Sequence, residues 1–336
     1  MAIRIAINGF GRIGRQITRL LFSGFGKGVE LRAINSLEPL ECAAHLLRFD
    51  SNHGGFSLPV TSRGQELIIA EQAISFYNQS DPGCLPWREL GIDLVIEASG
   101  QLRDRHQADQ HLRAGARKVV ITAAAHNPDL TLCFGVNQDS YRPEIHHIIS
   151  GSSCTTNCLA PALKVLNDRI AISTCLATFL HSYTSNQNLL DLQQGNDLRR
   201  MRAAGKNIIP TTTSATQQLP EVIPELIGRF HAVAIRVPTP EVHLAYCTMS
   251  LSRHTTAQEL LDLFSEAAQG SLNGILAITH APLVSIDFKG AKHSSVIDSD
   301  TIKVINGDMV QLMIWHDNES SYCKRIIDLV RYVTSN

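Results

Sequence analysis

The segment IRIAINGFGRIGRQITRLLF, residues 3–22, decides the fold of the first half of the chain. Its first residues alternate between isoleucine and other side chains, as in a β-strand, and its last residues carry apolar side chains at helical spacing. Between them Gly9, Gly11 and Gly14 form the motif G-x-G-x-x-G. In a strand–turn–helix unit, such glycines let the backbone approach a pyrophosphate, which the helix N-terminus stabilises. The segment therefore predicts a dinucleotide-binding turn; a glycine-rich turn without a ligand is the alternative.

Strands and helices continue to alternate after this segment. The patterns predict strands at 28–35, 92–100, 118–123, 130–136 and 146–150, and a helix around 104–114. Such alternation is typical of a doubly wound, mainly parallel sheet with helices on both faces. The strand at 92–100 ends in the small residues Ser99 and Gly100, which suit a cofactor that crosses the carboxyl ends of the strands.

The residues after the second predicted strand bear on the choice of cofactor. A Rossmann unit usually carries an acid here that binds the ribose hydroxyls, whereas this chain has Asn35 and Ser36. Glu38 follows two positions late. The carboxylate would repel a 2′-phosphate, so its absence loosens discrimination against NADP. Since no arginine clearly replaces it, we expect NAD as the cofactor, with NADP possible.

Composition and charge exclude several classes of protein. A chain of 336 residues is long enough for two domains, and 44% hydrophobic with 18% charged residues is an ordinary globular balance. The net charge of −1 predicts no general attraction to nucleic acid or to a membrane surface. The start has no signal-peptide pattern, and no apolar run is long enough to cross a bilayer. We therefore expect a soluble cytoplasmic protein without nucleic-acid or membrane partners.

The eight cysteines are scattered, without a CxxC pair or a Cys/His cluster at zinc spacing. This distribution favours free thiols in a reducing compartment and predicts no metal site. It also weakens two interpretations of ISGSSCTTNCLAP, residues 149–161, as a metal site or a disulfide. A redox couple, or one working thiol with a second packed thiol, remains.

A helix is predicted from Ser152 onward, capped by Ser152 or Ser153. Cys154 then falls in the first helical turn, where unpaired amides and the helix dipole favour a thiolate. Cys158 lies one turn deeper and is interpreted as core packing. Cys154 is therefore the candidate nucleophile.

A cysteine nucleophile needs a base within hydrogen-bond reach. His181 ends the apolar run ISTCLATFLH, and His316 in VQLMIWHDNE is its rival. Arg236 lies inside an otherwise apolar strand and needs an anion, either a structural carboxylate or a substrate phosphate. The hydroxyl run from Thr211 to Ser214 is either a plain turn or part of a phosphate site.

Six motifs occur in the order found in one family: INGFGRIGR, SSCTTNCLAP, HSYT, DLRR followed by NIIPTTT, RVPTP, and WHDNE. From about residue 3 to residue 330, the chain resembles the phosphorylating glyceraldehyde-3-phosphate dehydrogenases. Their close relatives, the erythrose-4-phosphate dehydrogenases, are similar too, and LPW at 85–87 and PLVSIDF at 282–288 also fit there.

The resemblance implies a role for each matching residue. Cys154 matches the nucleophile and His181 the base that activates it. The residues that match the substrate-phosphate and inorganic-phosphate sites are Ser153, Thr155, Thr184, Thr213, Ser214 and Arg236, with Ser214 standing where the family has a glycine. The residues that match the cofactor site are Gly9, Gly11, Arg12, Ile13, Gly14, Ser36, Ser99, Gly100, Thr122 and Asn318.

The resemblance also implies the architecture and the reaction. We expect an α/β protein with a Rossmann-type doubly wound NAD-binding domain, residues 1–152 plus a C-terminal helix at 317–336. An α+β catalytic domain with a large mixed or antiparallel sheet would span 153–316. The implied reaction converts D-glyceraldehyde 3-phosphate and inorganic phosphate to 1,3-bisphosphoglycerate with NAD. The implied assembly is a homotetramer, with 182–205 as an interface loop.

Two alternatives remain open at this level. An erythrose-4-phosphate dehydrogenase would resolve the thioester with water, and a catalytically weak paralogue would bind NAD with little turnover. Departures from the family pattern motivate the second alternative, namely Ser36, Asn186, Ser214, His316 and Ser320. A thiol hydrolase without a nicotinamide cofactor is disfavoured by the glycine turn.

Overall fold

A computed structural model describes residues 2–193 and 195–335, which form two compact units. The N-terminal unit comprises residues 2–134, 138–152 and 323–335. The C-terminal unit comprises 135–137 and 153–322, apart from residue 194.

The α-helices of the described residues are α1 (Arg12–Leu20), α2 (Leu40–Arg48), α3 (Arg105–Arg113), α4 (Cys154–Arg169), α5 (Ala215–Val222), α6 (Ala257–Gln269) and α7 (Ser320–Ser335). The strands of the N-terminal unit are β1 (Ile3–Asn8), β2 (Val29–Asn35), β3 (Phe49–Asp50), β4 (Gly54–Gly55), β5 (Val60–Arg63), β6 (Glu66–Ile69), β7 (Gln72–Tyr77), β8 (Leu94–Glu97), β9 (Lys118–Ile121), β10 (Leu130–Thr131) and β11 (Ile148–Ser150). The strands of the C-terminal unit are β12 (Ile172–Ser182), β13 (Ile209–Thr211), β14 (Phe230–Val237), β15 (His243–Leu251), β16 (Leu276–Thr279), β17 (Ser295–Asp298), β18 (Lys303–Ile305) and β19 (Met309–His316).

The N-terminal unit is built on one sheet with the strand order β10-β11-β9-β8-β1-β2-β7-β6-β5. Pairing is parallel from β10 to β7, and β5, β6 and β7 form an antiparallel meander. The central strands β1 and β8 are apolar and buried, as expected for a parallel sheet covered on both faces. The predicted doubly wound sheet is therefore confirmed.

The predicted strand at 130–136 is much shorter in the structure, where β10 has only two residues. Pairing stops at Thr131 because its partner Ser150 is the last residue of β11, and Gly135 adopts φ +89° in the turn that follows, where a side chain would meet Ile275 at 2.5 Å. The meander β5–β7 and helix α2 were not predicted, since their patterns are short.

The C-terminal unit is built on a mixed sheet with the order β13-β14-β12-β15-β19-β17-β16, and β18 pairs with β19. Strand β15 runs antiparallel to both of its neighbours, β12 and β19, whereas β14 runs parallel to β12. Helix α4 is buried from Thr155 to Leu163 and runs through Pro161 without interruption. The predicted large mixed sheet of this unit is therefore confirmed.

None of the helices that the structure describes combines the length and hydropathy that a bilayer crossing requires.

Candidate active site

Cys154 is the first residue of α4. Ser153 is the N-cap, with extended backbone angles, and its Oγ accepts a hydrogen bond of 3.2 Å from the backbone N–H of Thr156. Of the two capping serines considered, Ser153 is the one that caps. The cap holds the half-buried Cys154 at a helix N-terminus, and its Sγ lies 3.8 Å from Nε2 of His181.

His181 lies near the end of β12, and the register of the sheet places it opposite Arg236 of β14. Nδ1 of His181 is 2.7 Å from the carbonyl oxygen of Ser182, and Arg236 Nη1 donates to the same carbonyl at 2.8 Å. Arg236 Nη1 is also 2.5 Å from Nδ1 of His181. A guanidinium nitrogen only donates, so the contacts of Nδ1 with Arg236 and with Ser182 select opposite tautomers of His181. The tautomer whose Nδ1–H donates to the Ser182 carbonyl leaves the lone pair of Nε2 facing the sulfur, as a base requires.

Burial controls the charge states of this pair. Burial, and after it the positive charge of Arg236, lower the pKa of His181 to about 3. Burial also raises the pKa of Cys154, against the charge of Arg236 and the backbone amides of Thr155 and Cys154, which lower it. The stabilisation expected at the helix N-terminus is present but weaker than the effect of burial. The resting pair is therefore a neutral thiol beside a neutral imidazole.

The hydroxyl groups of three predicted phosphate-binding residues form a chain that begins next to Cys154 in the sequence. Ser153 Oγ lies 3.0 Å from Thr155 Oγ1, which lies 3.0 Å from Thr213 Oγ1. Thr213 precedes α5, and its Oγ1 accepts from the backbone N–H of Ala215 at 3.2 Å. Ser214 is the N-cap of α5 but makes no side-chain capping bond. Residues from two distant segments thus converge with their hydroxyl groups side by side.

Two arginines supply positive charge at this cluster. Burial lowers the pKa of Arg236 to about 10, and its buried Nε has no hydrogen-bond partner in the part of the chain that the structure describes. Arg200 donates from Nε to Thr211 Oγ1 at 2.8 Å, and its charge lowers the pKa of both His181 and Arg236. Arg200 lies in the segment 182–205, which was expected to be an interface loop; the DLRR motif ahead of NIIPTTT was the only signal for it.

Thr184 and Asn318 lie at the same end of the sheet, with different partners. The hydroxyl of Thr184 donates to Gln187 Oε1 at 3.2 Å, so it is bonded within its own loop. Asn318 Oδ1 accepts from Ser182 Oγ at 3.1 Å and from the backbone N–H of Val242 at 2.9 Å. Asn318 is therefore fixed beside the strand that carries His181.

Two more histidines extend the cluster inward. The ring of His243 lies 4.6 Å from that of His181 and 4.7 Å from that of His316, measured between centroids. His316, the rival base, is fully buried, and its Nδ1 lies 2.6 Å from the carbonyl of Ser294. His243 was not predicted as part of the site, because its pairing with His316 depends on the register between β15 and β19.

The glycine turn follows β1 in the N-terminal unit. Gly9 has φ +95°, and a side chain there would meet the backbone of Ser99 at 2.3 Å. A side chain on Gly14 would meet the carbonyl oxygen of Gly9 at 2.3 Å, whereas Gly11 faces open space. Gly11 caps α1 without a side-chain bond, so the helix N-terminus lies open for an anion. These features fit the pyrophosphate of a dinucleotide.

The other predicted cofactor residues follow the carboxyl ends of neighbouring parallel strands. Ser36 follows β2, and its backbone N–H donates to Tyr77 at 3.0 Å. Ser99 follows β8 and donates from its N–H and its hydroxyl to Glu97 Oε1, at 2.7 and 2.5 Å. Gly100 has φ +71°, and Thr122 follows β9. Arg12, which precedes Ile13, forms an ion pair of 3.0 Å with Asp50.

A Rossmann-type unit with an open glycine turn, together with a unit that carries a cysteine–histidine pair, defines a nicotinamide-dependent dehydrogenase that acts on aldehydes. Comparison with known families agrees. Residues 3–105 match "Glyceraldehyde 3-phosphate dehydrogenase, NAD binding domain", and residues 153–318 match "Glyceraldehyde 3-phosphate dehydrogenase, C-terminal domain". The chain belongs to the glyceraldehyde-3-phosphate dehydrogenase family.

Individual relatives are similar over the full length. The chain is 44% identical to glyceraldehyde-3-phosphate dehydrogenase of Geobacillus stearothermophilus, over 100% of this chain and 99% of the relative. It is 44% identical to glyceraldehyde-3-phosphate dehydrogenase 1 of Bacillus subtilis, over 99% and 98%. It is 43% identical to glyceraldehyde-3-phosphate dehydrogenase 1 of Streptomyces avermitilis, over 99% of both. The resemblance, the fold class and the NAD-dependent aldehyde oxidoreductase activity predicted from the sequence are thereby confirmed.

Proposed function

We propose that this protein oxidises D-glyceraldehyde 3-phosphate and captures the product with inorganic phosphate as 1,3-bisphosphoglycerate, with NAD as the cofactor. One observation carries the proposal: Cys154 Sγ lies 3.8 Å from His181 Nε2, beside a hydroxyl chain and Nε of Arg236, which is buried and has no partner among the residues that the structure describes. A thiol suits this chemistry because a thioester is reactive enough for phosphate to intercept, whereas a serine ester is much less so.

In the first step, Cys154 adds to the aldehyde carbon and His181 takes up a proton through Nε2. Protonation costs less at that moment than in the resting site, because the negative charge of the new alkoxide offsets that of the imidazolium, whose Nδ1–H donates to the Ser182 carbonyl. The backbone N–H of Cys154, at the N-terminus of α4, stabilises the developing oxyanion. NAD, held at the glycine turn by Gly9, Gly11 and Gly14, would supply the hydride acceptor, and the oxidised carbon would stay on Cys154 as a thioester.

In the second step, inorganic phosphate attacks the thioester. We assign its binding to Ser153, Thr155 and Thr213, whose hydroxyl groups are spaced about one hydrogen bond apart. Arg236 and Arg200 supply the charge that a phosphate needs. Thr184 and Arg236 are assigned to the phosphate of the substrate, and Ser214 to the rim of this site.

The cofactor residues follow the same proposal. Gly9, Gly11, Arg12, Ile13 and Gly14 hold the pyrophosphate at the start of α1. Ser36 faces the adenosine ribose, Ser99, Gly100 and Thr122 line the nicotinamide side, and Asn318 orients the carboxamide. Because Ser36 carries no charge, NADP binds as a poorer second cofactor.

Steady-state rates with both aldehydes, each with and without phosphate, test the proposal. We expect phosphate-dependent turnover that favours D-glyceraldehyde 3-phosphate, because the hydroxyl chain suits an attacking phosphate. Phosphate-independent turnover favouring D-erythrose 4-phosphate would replace the proposal with hydrolytic resolution. NAD binding without any turnover would indicate a catalytically weak paralogue.

We further propose a homotetramer located in the cytoplasm. Apolar side chains of the segment between β12 and β13 are widely exposed, among them Leu189 at 87% and Leu198 at 76%. Leu176, on the outer face of the sheet, is 64% exposed. Large apolar side chains exposed to this extent are typical of an interface. Light scattering coupled to size-exclusion chromatography tests the assembly; a monomer at micromolar concentration would refute it.

The proposed location rests on the cysteines. All eight are thiols rather than disulfides, which fits a reducing compartment.

A further inference from the structure

A second cluster of ligand-type side chains lies beneath the proposed catalytic pair. Cys158, His243 and His316 each offer one ligand atom, and these three atoms lie within 4.8 Å of one another. They come from α4, β15 and β19, which explains why sequence spacing gave no sign of them. None of the three has a role in the proposed reaction.

His243 makes this cluster unusual. It is 1% exposed, and neither of its ring nitrogens has a hydrogen-bond partner among the residues that the structure describes. A buried polar atom without a partner costs roughly 1–3 kcal/mol, so a native fold rarely retains two on one ring without a ligand. The ring is held in place by Phe179 at 5.5 Å and by the stacked ring of His316, so it cannot turn to the surface.

His316 and Cys158, which lie next to His243, have side chains that can act as metal ligands. The carbonyl of Ser294 lies 2.6 Å from Nδ1 of His316, which places the ring proton on Nδ1, and Ser321 Oγ lies 3.3 Å from Nε2, so a cation would displace this hydroxyl from the lone pair of Nε2. Cys158 makes only a weak contact of 3.9 Å, from Sγ to the carbonyl of Ile314. Its side chain is fully buried, so the thiol is shielded from solvent.

We propose that Cys158, His243 and His316 bind one thiophilic d10 cation, Cu⁺ or Zn²⁺. One sulfur and two imidazole nitrogens are the ligands that such cations prefer over Mg²⁺ or Ca²⁺. On binding, the S–H proton of Cys158 leaves to solvent, a sulfur–metal bond forms, and each imidazole donates a lone pair. Bonds of about 2.0–2.3 Å require the ligand atoms to move inward by on the order of 1 Å. With Cu⁺ the site is electrically neutral, which suits three fully buried ligands.

The neighbouring group of Cys154, His181 and His243 offers the same cation a competing position. His243 belongs to both groups, so variants of His243 cannot separate them. Cys158 and Cys154 can, because each thiol belongs to one group only. This pair therefore provides the matched control.

The experiment is an anaerobic titration of the reduced, metal-free full chain with Cu⁺, Zn²⁺ and Mg²⁺ in separate arms. Bound cation is counted per chain against a chromophoric chelator, and the midpoint of thermal unfolding is followed in parallel. We expect one tightly bound Cu⁺ or Zn²⁺, a raised midpoint, and no effect of Mg²⁺. Cys158→Ser and His316→Phe should each weaken binding by about 100-fold or more. Cys154→Ser and Cys133→Ser should leave binding within a few-fold.

Three results would overturn the proposal: no binding of either cation, loss of binding in Cys154→Ser, or retention of tight binding in Cys158→Ser. If His243→Leu fails to fold, the two cysteine variants and His316→Phe still decide. Dehydrogenase activity is assayed separately in the metal-free protein. An inactive protein that binds the cation would refute the proposed function alone, and an active protein without the site would refute only this inference.

Discussion

The two units bury histidines in opposite ways. In the N-terminal unit, His111 accepts from Trp87 Nε1 at 3.1 Å and lies 3.0 Å from Glu97 Oε2, which also accepts from Asn8 at 2.6 Å. In the C-terminal unit, the ring of His243 contacts those of His181 and His316, and His243 has no hydrogen-bond partner in the described part of the chain. A satisfied network fixes structure, whereas open ring nitrogens keep lone pairs available for protons or ligands at a cost in stability.

The largest expected effect tests whether chemistry belongs to the C-terminal unit. Cys154→Ser should lower kcat by about 1000-fold or more, because the poorer hydroxyl nucleophile cannot form a thioester. Cys133→Ser, which alters a buried thiol of the N-terminal unit, should keep kcat within a few-fold. Stopped-flow measurement of reduced nicotinamide formation gives both values; similar losses in the two variants would contradict the assignment.

The next effect compares one histidine from each unit. His181→Gln should lower kcat by about 100- to 10,000-fold, because Nε2 no longer accepts the proton during addition. His111→Gln should change kcat only slightly. The kcat of His181→Gln should also lose its dependence on pH, whereas a merely structural role would leave the shape of the profile unchanged.

The free energy of unfolding should depend more on the histidine of the N-terminal unit than on that of the C-terminal unit. His111→Leu leaves Trp87 Nε1 without its buried acceptor and removes one contact from Glu97 Oε2, and we expect the free energy of unfolding to fall by about 1–3 kcal/mol. His243→Leu removes two unpaired nitrogens, so the metal-free protein should be equally stable or slightly more stable. Urea denaturation followed by circular dichroism measures both. A larger loss for His243→Leu would break the comparison.

A smaller effect, on cofactor preference, is expected at Ser36, next to the hydrogen-bond network of Asn8 and Glu97. Asn35 donates to Asn8 at 2.7 Å and precedes Ser36, which carries no charge. Ser36→Asp should raise the preference for NAD over NADP by about 10-fold, since a carboxylate repels the 2′-phosphate. The ratio of kcat/KM for the two cofactors measures this preference, with Ser36→Asn as the uncharged control. An unchanged ratio would mean that position 36 does not face the ribose.

The smallest effect concerns alkaline pH. Burial raises the pKa of Tyr141 to about 12, and its hydroxyl donates to the carbonyl of Val333 at 2.9 Å. A raised pKa in the folded state means that stability is full below pH 10 and declines as the pH rises toward 12. Tyr141→Phe should reduce this alkaline loss by on the order of 1 kcal/mol at pH 11. Denaturation at pH 8 and pH 11 tests it; equal losses in both proteins would contradict the assignment.

Local patterns predicted much of the fold and part of the site. The glycine turn, the cap at Ser153 and the strand that ends at His181 are each written in a few consecutive residues, because helix and strand periods are local properties. The strand at 130–136 was predicted too long, since the conformation of Gly135 depends on its surroundings. The partners of Arg200 and His243 were missed, because they lie on separate segments.

The sequence by itself determined the alternation of strands and helices, the family, and which cysteine begins a helix. Only the tertiary structure decided that the pKa of that cysteine is raised by burial, that His243 pairs with His316, and that Cys158 lies beside them. The physical reason is that the register between distant strands and the loss of solvent around a side chain depend on the whole packed unit.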